Sequence, residues 1–317
     1  MTTSGVNTFS VNRDQIIRLA MLNLGKLEQS ETPTPEELTD CSMYLNMLVK
    51  QWQGTADFAP GLKTWTRRRG YLFLHNSTPQ YTVGPSGTGW TNSYVSTTTV
   101  ANAAAGQAVV IVSSSSGMTA GDRFGVEVST GNLEWHTILS VVGTSVTLTT
   151  NLSYAASALS QVFTYTTAAN QPIIIESVNL RDDTGNDTPV RVMTNLQYDA
   201  LPAKMAPTNL SDPSAIYYEF QLGSSYLFTD VYGCQDVTKF LVISYLEAEQ
   251  DFVSATDTPE YPQEWYLALA LNLSKLIAPM FSASWTPIME ENATNALAIA
   301  RRKEPEKSVA YFQCGDD

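Results

Sequence analysis

Two histidines, three cysteines and a surplus of carboxylates are the side chains here that can carry acid–base, nucleophilic or metal chemistry. His75 and His136 stand at the ends of expected strands, and neither has the flanking signature of a Ser-His-Asp or Cys-His arrangement. Cys41, Cys234 and Cys314 are far apart and odd in number, with no CxxC pair. Their spacing implies neither a zinc site nor a disulfide framework, and they read as reduced thiols. The run RDDTGND at 181–187 brings together three aspartates, which raises calcium. It lacks the closing Glu and flanking helices of an EF-hand, so a turn between strands is the better reading. No GxxxxGKS/T loop and no GxGxxG within a βαβ unit supports a nucleotide. A glycosidase needs two carboxylates at a set spatial separation, and nothing in the sequence singles out a pair. Trp90, Tyr94 and Trp135 can stack on sugar rings or serve as packing. The expectation is a chain with no catalytic group, metal or cofactor, so the elements around these residues carry the argument.

The most strongly patterned element is YPQEWYLALALNLSKLIAPMF at 261–281. Pro262 and Glu264 suit a first helical turn, and Trp265, Leu269, Leu273, Leu276 and Met280 recur on one helix face. A second helical region lies at 11–53. Asn12 and Gln15 form a capping box before Ile16, Leu19, Ala20, Leu24 and Leu27. Thr34, Pro35 and Glu37 start a second helix with Leu38, Cys41, Leu45, Leu48 and Trp52 on its seam, and Gly54 ends it. A last helix starts at Thr286-Pro287, is Ala-rich on its inner face (Ala293, Ala296, Ala300), and ends in Arg301, Arg302 and Lys303.

Between the terminal helices the sequence reads as strands. YLFL (71–74), QYTV (80–83), PIIIESVNLRDD (172–183), TPVRVMT (188–194), SAIYYEFQL (214–222), YLFTDV (226–231) and KFLVISYL (239–246) are candidates, with a short helix at 196–204. Composition shifts at Gly84. From there to Thr167 the chain is rich in Ser, Thr, Ala, Val and Gly, with strands at 108–112, 123–128, 136–142 and 145–150 and turn signals every ten or so residues. The expected fold is α+β: a helical bundle formed by the N- and C-terminal helices, a β-rich middle, and an inserted all-β sandwich or barrel. The expected division is a discontinuous core, 1–84 and 168–317, with 85–167 inserted and 303–317 as a C-terminal arm.

The chain has 317 residues, 31 acidic against 18 basic, for a net charge of −13. Such a surface is poorly built to grip nucleic acid, although nucleic acid can pass it without sticking. The N-terminus lacks a secretory apolar region and no run of about 18 apolar residues exists, so a soluble protein made in the cytoplasm is expected, with no membrane partner. The triplet Arg67, Arg68, Arg69 reads as a solvated or interface charge cluster.

The order of these segments carries more than their physics. LNMLVKQWQ (45–53), TPQYTVG (78–84), PIIIESVNLRD (172–182), DTPVRVMTNLQYDALPAK (187–204), DPSAIYYEF (212–220) and TPEYPQEWYLALALNLSKLIAPMF (258–281) together resemble the head-to-tail adaptor proteins of short-tailed bacteriophages, a group that includes tubular tail and packaged-DNA-stabilisation proteins. The resemblance spans roughly 10–84 and 170–300 and leaves out 85–167. It implies a non-enzymatic virion protein whose copies form a dodecameric ring below the portal. That ring extends the DNA channel, helps retain the packaged DNA and gives a platform for the tail nozzle and for fibres or spikes. It implies a place at the portal vertex, and makes Arg301, Arg302, Lys303, Tyr311, Phe312, Arg67, Arg68 and Arg69 candidates for portal or intersubunit contact. A carbohydrate-binding or cell-wall-degrading tail protein is the alternative, with Trp90 and Trp135 as its binding residues.

Overall fold

The computed structural model describes residues 8–54 and 66–301, and it is a mixed α+β structure with five helices among them. The chain divides into two compact units. The first joins residues 1–66 to 249–317, and the second is 67–248. The boundaries fall at Thr66 and Ala248, whereas the composition shifts at Gly84 and Thr167 lie inside the second unit, between its two sheets. The expected arm at 303–317 lies outside the described residues.

The first unit is built from α1 (Arg13–Asn23), α2 (Pro35–Gly54), α4 (Glu264–Ile277) and α5 (Pro287–Arg301). Both amino-terminal helices start at the expected boxes. The Asn12 carboxamide oxygen accepts from Gln15 N at 2.9 Å while Gln15 returns to Asn12 N at 3.0 Å. Thr34 N donates to Glu37 Oε2 at 2.9 Å. Each box satisfies backbone donors that a helix start leaves unpaired. One core takes Ile16, Ile17, Ala20 and Met21 from α1, Cys41, Leu45, Leu48, Val49 and Trp52 from α2, and Trp265, Ala268, Leu269, Leu273 and Ile277 from α4, with Ala296 from α5. Trp52 and Trp265 meet at 5.6 Å between ring centroids.

Two expected seams shift, by two positions in α1 and by one in α4. Leu19 is 44% exposed, and Ile17 and Met21 take its place. In α4 the helix ends at Ile277, which is fully buried, while Leu276 and Met280 lie near the surface. Four-residue steps from Trp265 through Leu269 and Leu273 lead to Ile277, and the helix wraps its seam around that row.

The second unit holds two sheets and α3 (Asn195–Asp199). In chain order the larger sheet contains β1 (Arg67–Phe73), β2 (Gln80–Val83), β3 (Trp90–Thr91), β10 (Pro172–Arg181), β11 (Asp187–Met193), β12 (Ala215–Glu219), β13 (Ser225–Thr229) and β14 (Phe240–Glu247). Its order is β2-β13-β12-β11-β10-β14-β1-β3, antiparallel except where β11 runs parallel to β12. Both edge strands contribute to one core, Tyr81 and Val83 from β2 and Trp90 from β3, so the sheet curls around it.

The smaller sheet contains β4 (Val95–Thr98), β5 (Val109–Ile111), β6 (Arg123–Val128), β7 (Asn132–Val142), β8 (Ser145–Leu148) and β9 (Gln161–Tyr165) in the order β4-β9-β6-β7-β8-β5. A bridge between Thr99 and Val112, with Ser113 N donating to Thr98 O at 2.8 Å and Val100 N to Ile111 O at 2.9 Å, joins its two ends. The inserted segment is therefore a small closed barrel, an arrangement that removes free strand edges. Phe124, Val126, Val146 and Val162 fill it.

Candidate interaction surfaces

The basic triplet, expected as a solvated or interface charge cluster, opens β1, and strand alternation sends its side chains to opposite faces. Arg67 Nε lies 2.6 Å from Glu176 Oε2, and Arg68 Nε lies 2.9 Å from Glu247 Oε1. Glu247 is buried, and the Tyr245 hydroxyl sits beside it at 3.5 Å. Asp187 accepts two bonds of 2.7 Å from Arg181, which holds its carboxyl below the usual range, with Arg69 adding a smaller effect in the same direction. The three arginines thus face carboxylates of β10, β11 and β14 across the sheet.

Arg301 closes α5 in the other unit, half-buried, and among the described residues its Nε has no hydrogen-bond partner. Arg302, Lys303, Tyr311 and Phe312 lie outside the described residues.

The residues singled out for chemistry have structural surroundings. His136 stands inside β7 rather than at its end, because β7 begins four residues earlier, at Asn132. Its Nδ1 lies 2.7 Å from Thr150 Oγ1, and its Nε2 lies 3.2 Å from Glu134. Glu134 in turn accepts from Ser153 N at 2.7 Å and Tyr154 N at 3.3 Å, so the pair holds the 150–154 turn on the barrel. His75 Nδ1 lies 3.1 Å from Asn132 Oδ1, and burial lowers its pKa against the opposing effect of that bond. Burial pushes the Cys41 thiol up to about 11 and the Cys234 thiol up to about 12, which removes the thiolate needed for nucleophilic attack at neutral pH. Cys314 lies outside the described residues. In the 181–187 turn the Asp182 carboxylate accepts from Thr184 N and Oγ1 and from Asn186 N and Nδ2, bonds that hold its pKa at about 2. Among the described residues no cluster of three His, Cys, Asp or Glu side chains is placed to hold a metal ion.

The aromatic residues considered for sugar stacking are used in packing. Trp90 is fully buried, its ring 5.3 Å from that of Tyr245 and its Nε1 donating to Asn170 O at 3.1 Å. Trp135 is half-buried over Gly125, where an added Cβ would come within 2.8 Å of its ring. Phe73, Trp135, Phe163, Tyr165, Phe240, Tyr71 and Tyr94 form an aromatic layer between barrel and larger sheet. Phe73 is its hub, with Phe163 at 4.4 Å and Tyr94, Trp135 and Phe240 at 5.5 to 5.6 Å. A second tie comes from Asn76, whose Nδ2 donates to Thr130 O and Gly131 O of the β6–β7 turn. The barrel is fixed on its sheet by the aromatic layer, which no pattern in the sequence announces because its residues come from β1, β7, β9, β14 and the position just before β4.

Exposed apolar side chains occur on α3 and the loops of the larger sheet (Leu196, Met205, Phe220, Leu222), on the barrel and on the helical unit. The barrel has only Asp122, Arg123, Glu127 and Glu134 as charged residues, and Asp122 is buried. Val109 and Ile111 of β5 and Leu139 and Val142 of β7 are exposed among Ser and Thr on its outer wall. The helical unit exposes large apolar side chains on several elements, among them Leu267 on α4 at 62%. Met43 and Met47 on α2 are 51% and 57% exposed, and Ile288 and Ile299 on α5 are 71% and 59% exposed. No helix among the described residues is long and apolar enough to cross a membrane.

No protein-family model and no curated protein matches the chain. Among solved structures, the tailspike of Acinetobacter baumannii bacteriophage AP22 in complex with A. baumannii capsular saccharide matches over 23% of this chain, at 15% identity and a TM-score of 0.21. The match spans 14% of the tailspike chain.

Proposed function

We propose that the protein is a virion structural protein, a head-to-tail adaptor whose copies form a ring between the portal and the tail of a short-tailed bacteriophage. The observation that carries this reading is the split helical unit. Helices from the two ends of the chain share one core while the intervening 67–248 segment forms a unit of its own. We read the helical part as a four-helix bundle that meets its neighbours, and the β unit as the part that meets other tail components. The segment order that resembles the adaptor family runs through both units.

Electrostatics fits the role. Each copy carries a net charge of −13, and a ring of such copies around a channel repels DNA, so the genome slides instead of binding. The barrel's charge-poor wall suits contact with a nozzle, fibre or spike, where no ion has to be desolvated. The arginines of β1 already face carboxylates of their own sheet, which directs portal contact toward the helical unit and Arg301.

Electron microscopy of the purified chain mixed with its portal tests the reading. Class averages are expected to show an added layer of twelvefold symmetry below the portal, on the axis of the channel. A chain that neither forms rings nor sediments with the portal overturns the proposal.

A further inference from the structure

We infer that the barrel carries a self-complementary contact through which two copies of this chain pair about a twofold axis, the Leu159 turn of each copy entering a pocket beside Asn102 of the other. The inference goes beyond the ring reading and does not depend on it. A twofold contact closes on itself, so the contacts that build a ring lie elsewhere.

The knob is a strained turn. Leu159 has a φ of 66°, in the left-handed region that a bulky side chain rarely adopts, and it is 79% exposed. Such a conformation persists only where its surroundings fix it. Here Leu159 N donates to Thr99 O at 2.9 Å, Ala158 N to Asn102 Oδ1 at 2.7 Å and Ser160 N to Ser157 O at 3.3 Å, while Thr99 Oγ1 donates to Ser157 O at 2.6 Å. The turn therefore holds out into water a leucine that takes no part in the barrel's core.

The hole lies across the 99–103 segment from the knob. That segment bonds on one side to the Leu159 turn and on the other to β5, where Val100 N donates to Ile111 O at 2.9 Å. On the β5 side, Ala101, Ala103, Ala108 and Ile111, together with Asn102 and Gln107, line a pocket of about 340 Å³. The alanines leave room there for a leucine side chain. Both carboxamides are oriented through their oxygens, Asn102 Oδ1 by Ala158 N and Gln107 Oε1 by Ala104 N at 3.0 Å. Among the described residues, Asn102 Nδ2 and Gln107 Nε2 have no acceptor, and the Ala158 and Leu159 carbonyls have no donor. Spare donors thus stand at the hole and spare acceptors at the knob. The Asn102–Ala158 bond holds the two side by side, so a copy cannot fill its own pocket. A twofold axis between them, near the half-exposed Val100, sets each knob over the other copy's hole.

Charge favours a second copy as the occupant of this face. The chain carries a net charge of −13, so two copies repel one another over much of their surface. None of the knob or hole residues is charged, so this face meets itself without opposing like charges or desolvating an ion. Leu159, Val100, Val109 and Ile111 expose a patch on the order of a few hundred Å², the size that marks an interaction site. Two such patches meet at the small end of specific interfaces, which gives a weak, reversible pair.

Sedimentation of the full chain without portal, over a micromolar concentration series, tests the inference, with thermal unfolding as the check on folding. The wild type is expected to pass from monomer to dimer. Leu159→Gly removes the knob and suits the left-handed backbone. Ala101→Leu fills the hole from an exposed position. Each is expected to weaken pairing at least tenfold with no fall in the unfolding midpoint. An equimolar mixture of the two variants retains one knob and one open hole, and is expected to pair more tightly than either variant alone. Dimers that persist unchanged in both variants overturn the inference, as does a mixture that pairs no better than its parts. A wild type that stays monomeric at every concentration overturns it too; if Leu159→Gly then costs binding of a tail component, the knob serves that component instead. Rings assembled with the portal report on the ring reading alone.

Discussion

Substituting Gly70 by alanine tests how the aromatic interior of the β unit is built. Gly70 lies on β1, and a Cβ added there would come 2.1, 2.5 and 2.8 Å from three atoms of the Trp90 ring. Contacts that short cannot persist, so either the ring or the strand must move. The ring has little freedom: it is fully buried, anchored through Nε1 to Asn170 O at 3.1 Å, and packed on Tyr245. The strand is held by pairing on both sides, Gly70 against Ile243 of β14 and Leu72 against Trp90 of β3. Overpacking of this kind costs about 1–3 kcal/mol. Trp90→Ala alone removes a buried indole and costs about 3–5 kcal/mol. If the two effects were independent, the double variant would lose about 4–8 kcal/mol. Here the added methyl of Gly70→Ala enters space that the missing indole leaves, so the double variant is expected to be no less stable than Trp90→Ala alone. Calorimetry or denaturant unfolding of the four proteins measures this, with the transition of the β unit followed by near-ultraviolet dichroism. Strict additivity would refute the packing argument.

Other consequences follow from the same geometry. Phe73→Ala empties the hub of the layer that fixes the barrel to its sheet and is expected to cost about 3–5 kcal/mol, read as a lower unfolding midpoint of the β unit. Arg68→Ala strands the buried Glu247 carboxylate, and because Arg68 is about one-third exposed its loss is expected at about 1–3 kcal/mol. Arg67→Ala breaks a pair half open to water and is expected to cost less than about 1 kcal/mol; the reverse ranking in a denaturant titration contradicts the assignment. Stability should also fall as pH drops below 6.5, because the unfolded His75 takes up a proton there while the folded imidazole, its pKa lowered by burial, does so only at lower pH. His75→Gln is expected to flatten that slope in melting temperatures. The carboxylates held below their ordinary range, Glu134, Asp187 and Glu290, contribute in a separate window, present at neutral pH and lost as pH falls below about 4.

Helix starts were legible because capping is local: Asn12, Gln15, Thr34 and Glu37 bond within four residues, and spacing alone identifies them. The apolar seams were legible to within two positions. Leu19 and Met21 differ only in which tertiary neighbour reaches them, and that depends on α4 from the other end of the chain. Strands with alternating or continuous β-branched residues, such as β6 and β14, stood out. β3, β4 and β9 did not, since they are short or rich in Ser and Thr and their partners are distant in sequence. The arginine triplet read as a loop cluster because its neutralising carboxylates, Glu176 and Glu247, lie more than one hundred residues away. Trp90 and Trp135 have the composition of a sugar platform, and only Gly70 and Gly125 opposite them reveal buried packing sites. The exposed methionines of α2 were hidden for the converse reason: in a helix with one good seam, a second apolar stripe is invisible until the first is known to be occupied.

Native mass spectrometry of the assembled complex puts the central claim to the most direct test. The account predicts one discrete closed species, a dodecamer of the 34.7 kDa chain, recovered with the portal. A monomer under all conditions, or an open ladder of masses with no closed species, contradicts it.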